Sequence, residues 1–185
     1  MRAFVALEVP PPVLEPVKRL QAELSRTIAG FRWVKPEGIH LTLKFLGEIG
    51  EESVAEVGEA VKRSAGKVNP FELYLSGLGA FPDFARARVI WVGVKGDLEP
   101  LGVLQESVEL ELKRLGFQPE NRPFRPHLTL GRRKSGNRAR VVVSSMEFSS
   151  GSFLVDSVRL MRSTLTPHGA IYDEVMSWPL SAGGK

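Results

Sequence analysis

The tetrad His40-Leu41-Thr42-Leu43 returns unchanged at His127-Leu128-Thr129-Leu130, 87 residues further along the chain. Polar and apolar residues alternate in both copies, the period-two pattern of a half-buried strand. Each His therefore shares a face with its Thr, and the two Leu take the other face. The chain has three histidines, and the tetrads hold two of them. An imidazole titrates near neutrality, with an ordinary pKa of about 6.5, so one of a pair can be neutral while the other is protonated. In-line attack on phosphorus needs that division: one imidazole takes the proton of the attacking oxygen, and the other gives a proton to the leaving oxygen. A threonine hydroxyl on the same face can donate a hydrogen bond to a non-bridging phosphate oxygen as charge builds there. Nearby Arg or Lys can add charge-assisted contacts. The scheme calls for no metal and no cofactor.

Other chemistries have less behind them. A single His-x-Thr strand is ordinary on an exposed sheet face; two identical copies at matched positions turn the reading towards a site. A metal centre lacks material, since there is no cysteine, no His-x-x-x-His pair and only three histidines in all. The absence of cysteine also removes disulfides and thiol nucleophiles, and no Gly-x-Ser-x-Gly occurs to present a serine.

The net charge of +4 is modest, but it is unevenly spread. Arg122, Arg125, Arg132, Arg133, Lys134, Arg138 and Arg140 crowd a stretch that contains no acid, so this window carries +7 and the remainder −3. Charge runs are commonly solvated loops. This one surrounds a histidine, which points to an anionic ligand such as a phosphate backbone. At 185 residues the chain suits one well-buried core. The N-terminal apolar run is short and interrupted by Glu8, and no run of 18 apolar residues exists, so neither a signal peptide nor a membrane span is expected. A cytoplasmic monomer is the default.

Elements must bring the tetrads together. Phe4 to Val9 reads as a strand stopped by Pro10-Pro11-Pro12, and Val13, Val17, Leu20, Leu24 and Ile28 form one helix face ending before Gly30. A short extended piece, Phe31 to Val34, and a turn at Lys35-Pro36-Glu37-Gly38 precede the strand from His40 to Leu46. A second helix follows Glu51 and Glu52, with Val54, Val57, Val61 and Ala65 facing inward; Phe71 to Ser76 is a strand and Gly77 to Arg86 a loop. A second cycle then repeats the first: a strand from Val89 to Lys95, a helix face of Leu101, Leu104, Val108, Leu112 and Leu115, an irregular link from Gln118 to Pro126, and the second tetrad. Strands at Met146 to Ser149, Phe153 to Arg162 and Ile171 to Trp178 complete the chain before a frayed tail. Phe4 to His40 and Trp91 to His127 are both 36 residues, and each helix opens near a Leu-Glu-Pro, at Leu14 and at Leu98. These matches indicate an internal duplication, whose two units would face each other about a pseudo-twofold axis.

Ile39 to Glu48 and Phe124 to Arg132 closely resemble the paired signatures of the two-histidine (2H) phosphoesterases, in particular the RNA 2′,3′-cyclic phosphodiesterases once called 2′-5′ RNA ligases. The likeness extends to Arg2 to Leu7, Phe81-Pro82, Ala87 to Trp91, Ser163-Thr-Leu, Gly169 and Tyr172. It implies an α+β fold over residues 1–185: a single bilobal domain of duplicated strand–helix–strand units whose two sheets line a central cleft. It implies hydrolysis of RNA or nucleotide 2′,3′-cyclic phosphate ends to 2′-phosphates, with ligation as the same chemistry using an RNA 5′-hydroxyl in place of water. Carried residue by residue, His40 and His127 are the proton-transfer pair, while Thr42 and Thr129 hold the phosphate. The sequence does not separate acid from base; the working assignment has His40 protonate the leaving 3′ oxygen and His127 activate water. Substrates left open are tRNA halves, other RNA ends, 2′-5′ oligonucleotides and ADP-ribose cyclic phosphate. A module that binds RNA ends without turnover is the alternative from another class.

The remaining candidates carry plainer readings beside them. Strict alternation puts Arg132 on the Leu face, so it reaches the phosphate only if the strand ends at Gly131. Arg125, Arg133 and Lys134 serve as general attraction for a backbone. Phe45 and Phe84 are candidates for base stacking, with core packing favoured for Phe45. Trp33, Trp91 and Trp178 read as core, and His168 as a turn residue.

Overall fold

The computed structural model describes residues 1–134, 147–167 and 169–183. In chain order the elements are β1 (Arg2–Leu7), α1 (Pro11–Thr27), β2 (Phe31–Trp33), β3 (Leu41–Glu48), α2 (Val54–Ala65), β4 (Phe71–Phe81), β5 (Val89–Gly96), α3 (Leu98–Arg114), β6 (His127–Arg133), β7 (Phe153–Val155), β8 (Ser157–Thr166) and β9 (Gly169–Pro179). The strands form two antiparallel sheets, β3-β1-β8-β9 and β2-β6-β5-β4-β7. Each tetrad strand pairs with the strand that opens its own cycle, β3 with β1 and β6 with β5. The duplication read from the spacings is therefore built into the sheets, and the fold is α+β.

The helices form where the apolar periodicity places them. Pro11 and Pro12 sit in the first turn of α1, where a missing N–H costs nothing, and Val13, Val17, Leu20 and Leu24 are buried. In α2 and α3 the buried sets include Val57, Val61 and Ala65, and Leu101, Leu104, Val108 and Leu112. Leu115 lies beyond the end of α3 and is exposed. These faces cover the sheet sides that carry Leu41, Leu43, Leu128 and Leu130, all within one core cluster.

The strands depart from the expected ones in two places. The strand β4 runs on to Phe81 through a bulge between Leu75 and Leu78, with Gly77 at φ +77°, so the glycines that read as a loop instead serve a kinked strand. The stretch from Phe153 to Arg162 is two strands in different sheets. β7 pairs with β4, β8 pairs with β1, and Asp156 is the crossing point, where its carbonyl accepts from the Leu180 N–H. Of the expected strand at Met146 to Ser149, Met146 lies outside the described residues, and Ser149 makes only an isolated bridge to Ser76.

Two buried polar side chains tie the cycles together crosswise. Gln21 on α1 donates to the carbonyls of Val34, ahead of the first tetrad, at 2.6 Å and of Leu130, inside the second, at 2.8 Å. Lys44, just after the first tetrad, donates to Glu109 Oε2 on α3 at 2.8 Å and to the carbonyl of Gln118, in the link ahead of the second, at 2.9 Å. Removing the ammonium leaves two acceptors facing protein. Lys44→Met is therefore expected to lower the urea midpoint by the equivalent of about 2–4 kcal/mol, whereas the double variant Lys44→Met/Glu109→Leu recovers part of the loss. A cost no larger than that of the exposed Lys62→Met would count against the tie.

Candidate active site

The alternation of both tetrads holds. Leu41, Leu43, Leu128 and Leu130 are buried, while His40, Thr42, His127 and Thr129 are half-buried on the opposite faces. β3 and β6 belong to different sheets yet approach within 8 Å, Cα to Cα, which brings the two copies together across the seam. The surroundings of the imidazoles are duplicated too. His127 Nδ1 lies 2.7 Å from the carbonyl of Arg125; a carbonyl only accepts, so Nδ1 carries the proton and Nε2 is free to face a ligand. His40 makes the matching backbone hydrogen bond with Gly38, again two residues back. Phe4 stacks on His40 at 4.6 Å with Tyr172 edge-on at 5.0 Å, while Trp91 lies 5.9 Å from His127 with Phe81 edge-on at 5.0 Å.

A one-residue bulge follows each Thr and resets the side-chain phase. In β3 the register jumps so that Ala6 faces Thr42 and Val5 faces Lys44, leaving Leu43 as the extra residue. In β6 Trp91 faces Thr129 and Ile90 faces Gly131, leaving Leu130 as the extra one. Past each bulge the faces exchange. The strand does not end at Gly131; the bulge alone carries Arg132 to the His–Thr side, where it shares a row with Val89 and Phe81. The same shift turns Lys44 inward to α3 and Phe45 outward. Phe45 is 59% exposed and meets the Phe4 ring at 6.0 Å, so the core role expected for it is wrong.

The electrostatics follow from this packing. Burial among the aromatic rings lowers the His40 pKa from 6.5 to about 4 and also lowers that of His127; the Gly38 and Arg125 carbonyls act against the shift, and the Arg132 guanidinium adds to it at both rings. One cation thus acts on both imidazoles. Arg122, Arg125, Arg132 and Lys134 are exposed and Arg133 is half-buried, whereas Arg138, Arg140 and His168 lie outside the described residues. Phe84, Trp33 and Trp178 pack against the core. Trp91 does not: it lies over Gly79, where a Cβ would come within 2.2 Å of the indole, and it faces His127. The signal for it was the equal spacing of Phe4 and Trp91 from their histidines. Among the described residues no cluster of three or more His, Asp or Glu is arranged to hold a metal ion.

Removing the shared cation favours the protonated imidazole. In Arg132→Gln the pKa values of His40 and His127, followed by NMR titration of the ring protons, are both expected to rise. If either is unmoved, Arg132 does not bridge the pair.

A family model described as LigT like phosphoesterase matches the chain twice, over residues 7–91 and 92–172. An RNA 2′,3′-cyclic phosphodiesterase of Archaeoglobus fulgidus is 42% identical over 95% of this chain and 98% of its own, and one of Methanothermobacter thermautotrophicus is 36% identical over 95% and 96%. Among solved structures, a Thermus thermophilus protein superposes with a TM-score of 0.86 at 30% identity over 99% of this chain and 100% of its own. Escherichia coli LigT complexed with 3′-AMP gives 0.77 at 29% identity over 97% of both chains. The doubled match repeats the doubled geometry, and the chain belongs to the LigT-like phosphoesterases.

Proposed function

We propose that the protein hydrolyses the 2′,3′-cyclic phosphate ends of RNA and nucleotides to 2′-phosphates, with His40 and His127 as its proton-transfer pair. The observation that carries this reading is the pair of identical His-x-Thr strands meeting across the seam, each imidazole held by a carbonyl two residues back. The names of the curated relatives and the 3′-AMP complex of a structural neighbour support the substrate class. Water attacks phosphorus in line with the 3′ oxygen; one imidazole takes the water proton as the new P–O bond forms. The other imidazole protonates the 3′ oxygen as its P–O bond breaks. Thr42 and Thr129 donate to the non-bridging oxygens, and Arg132 offsets their charge. With an RNA 5′-hydroxyl as the attacking group the same steps make a 2′-5′ linkage. Phe45, exposed beside Phe4, offers the surface on which a base can stack.

The working assignment, with His40 as the acid and His127 as the base, is separated from its reverse by the leaving group. An aryl phosphodiester, whose phenolate leaves without a proton, is expected to rescue His40→Ala and not His127→Ala; the opposite pattern exchanges the two roles.

Incubation with adenosine 2′,3′-cyclic phosphate in the presence of a chelator is expected to give the 2′-phosphate. Either His→Ala change should cost about 10²–10⁴-fold in kcat. Because both imidazoles are depressed in the free protein, the kcat/KM optimum is expected below pH 6.5. The kcat optimum lies higher, since a bound anion stabilises the imidazolium. No product in chelator, or a single-limbed profile, would refute the paired mechanism.

A further inference from the structure

The short edge strand β2 places Arg32 directly opposite Arg132 in the register with β6. Cross-strand partners point to one face with their Cβ atoms about 5 Å apart, and like charges so placed repel. Neither arginine appears in an ion pair among the described residues, and no acid occurs between Asn121 and Met146. Both side chains are exposed. The row runs Arg32, Arg132, Val89, Phe81, and Phe81 touches His127, so Arg32 stands on the site's face one strand further out. Strand spacing makes that step about 4.8 Å. Arg132 acts on both imidazoles whereas Arg32 is not among the charges that shift either, which separates the reacting centre from what lies beyond it.

We infer that Arg32, backed by Arg132, forms a second phosphate subsite that takes the phosphodiester joining the terminal nucleoside to the preceding nucleotide, so that the protein selects RNA ends over mononucleotides. This rests on the phosphodiesterase reading above. A bound phosphodiester converts the repulsion of two guanidiniums into two charge-assisted contacts. A mononucleotide has no phosphate to offer at this position, so the pair contributes to discrimination rather than to chemistry.

The test compares adenosine 2′,3′-cyclic phosphate with the dinucleotide ApA ending in the same cyclic phosphate, using wild type, Arg32→Gln and Arg32→Lys. The ratio of kcat/KM for dinucleotide over mononucleotide is expected to fall about tenfold in Arg32→Gln. The loss should fall on the dinucleotide, and Arg32→Lys should retain most of the preference. Raising salt should erode the wild-type ratio more than that of Arg32→Gln. Equilibrium binding of ApA 2′-phosphate against adenosine 2′-phosphate reads the same preference without turnover. If wild type hydrolyses neither substrate, the phosphodiesterase reading fails while the binding ratio still decides the subsite. A ratio unchanged by Arg32→Gln, or equal losses on both ligands, overturns the subsite.

Discussion

The period of two along a strand is the constraint on which this structure depends. A His and a Thr placed two residues apart share one face only while the strand stays extended, and the two Leu between and after them anchor that face by being buried on the other. Slipping either strand by one residue would drive Leu41 and Leu43, or Leu128 and Leu130, into solvent, and full burial of a Leu side chain is worth about 1.5–3 kcal/mol. The core therefore sets the orientation of the imidazoles. The bulges at Leu43 and Leu130 then break the same period one step later. Without them Lys44 would stand beside Thr42, and Arg132 would be driven into the core. One extra residue at each matched position exports a side chain to the site, Phe45 in one copy and Arg132 in the other.

Facing strands are useful only if their separation is fixed, and here buried hydrogen bonds help the hydrophobic contacts to fix it. The Leu130 carbonyl at the second bulge accepts from both the Val34 N–H and Gln21 Nε2, so the rephased strand is held by the helix and the strand of the other cycle. Lys44, turned inward by the first bulge, holds the link that leads to His127. A buried acceptor left without a donor costs about 1–3 kcal/mol, so each tie is satisfied in one arrangement of the two sheets. The bulges thus serve twice: they aim the site residues outward, and they supply or expose the polar atoms that lock the sheets.

Much of this is legible in the sequence. The repeated tetrad, the matched spacings and the helix faces follow from periodicity, which local sequence carries, and the doubled architecture follows from them. The misplacing of Phe45, of Arg132 and of the end of β4 has one cause. A bulge changes the phase of a strand without leaving a composition signal at the bulged residue, since Leu43 and Leu130 look like any buried Leu. Strict alternation continued past them puts Phe45 on the wrong face. In β4 the glycines that permit the bulge did leave a signal, but it reads equally as a loop. Trp91 reads as core because indole usually is; its place against His127 shows in the sequence only through its equivalence to Phe4 at the same offset. The ties made by Gln21 and Lys44 were illegible, because a polar residue in a helix or strand does not announce a partner in the other half of the chain.

The aromatic walls and the shared arginine bias the free protein towards two neutral imidazoles, and acid–base catalysis needs one of them charged. The conflict resolves when an anion arrives. A phosphodiester carries the charge that stabilises a neighbouring imidazolium and neutralises the guanidinium that opposed it, and its entry displaces water that screened both effects. In the proposed reaction protonation is thereby coupled to binding: the acid becomes charged when there is a leaving oxygen to receive its proton. Duplicated strands do not make the two imidazoles equivalent: Phe4 stacks on His40 with Tyr172 edge-on, whereas Trp91 lies tilted beside His127 with Phe81 edge-on. A pair that is to divide into proton donor and proton acceptor needs such an inequality, because two identical rings in identical surroundings would compete for the same proton.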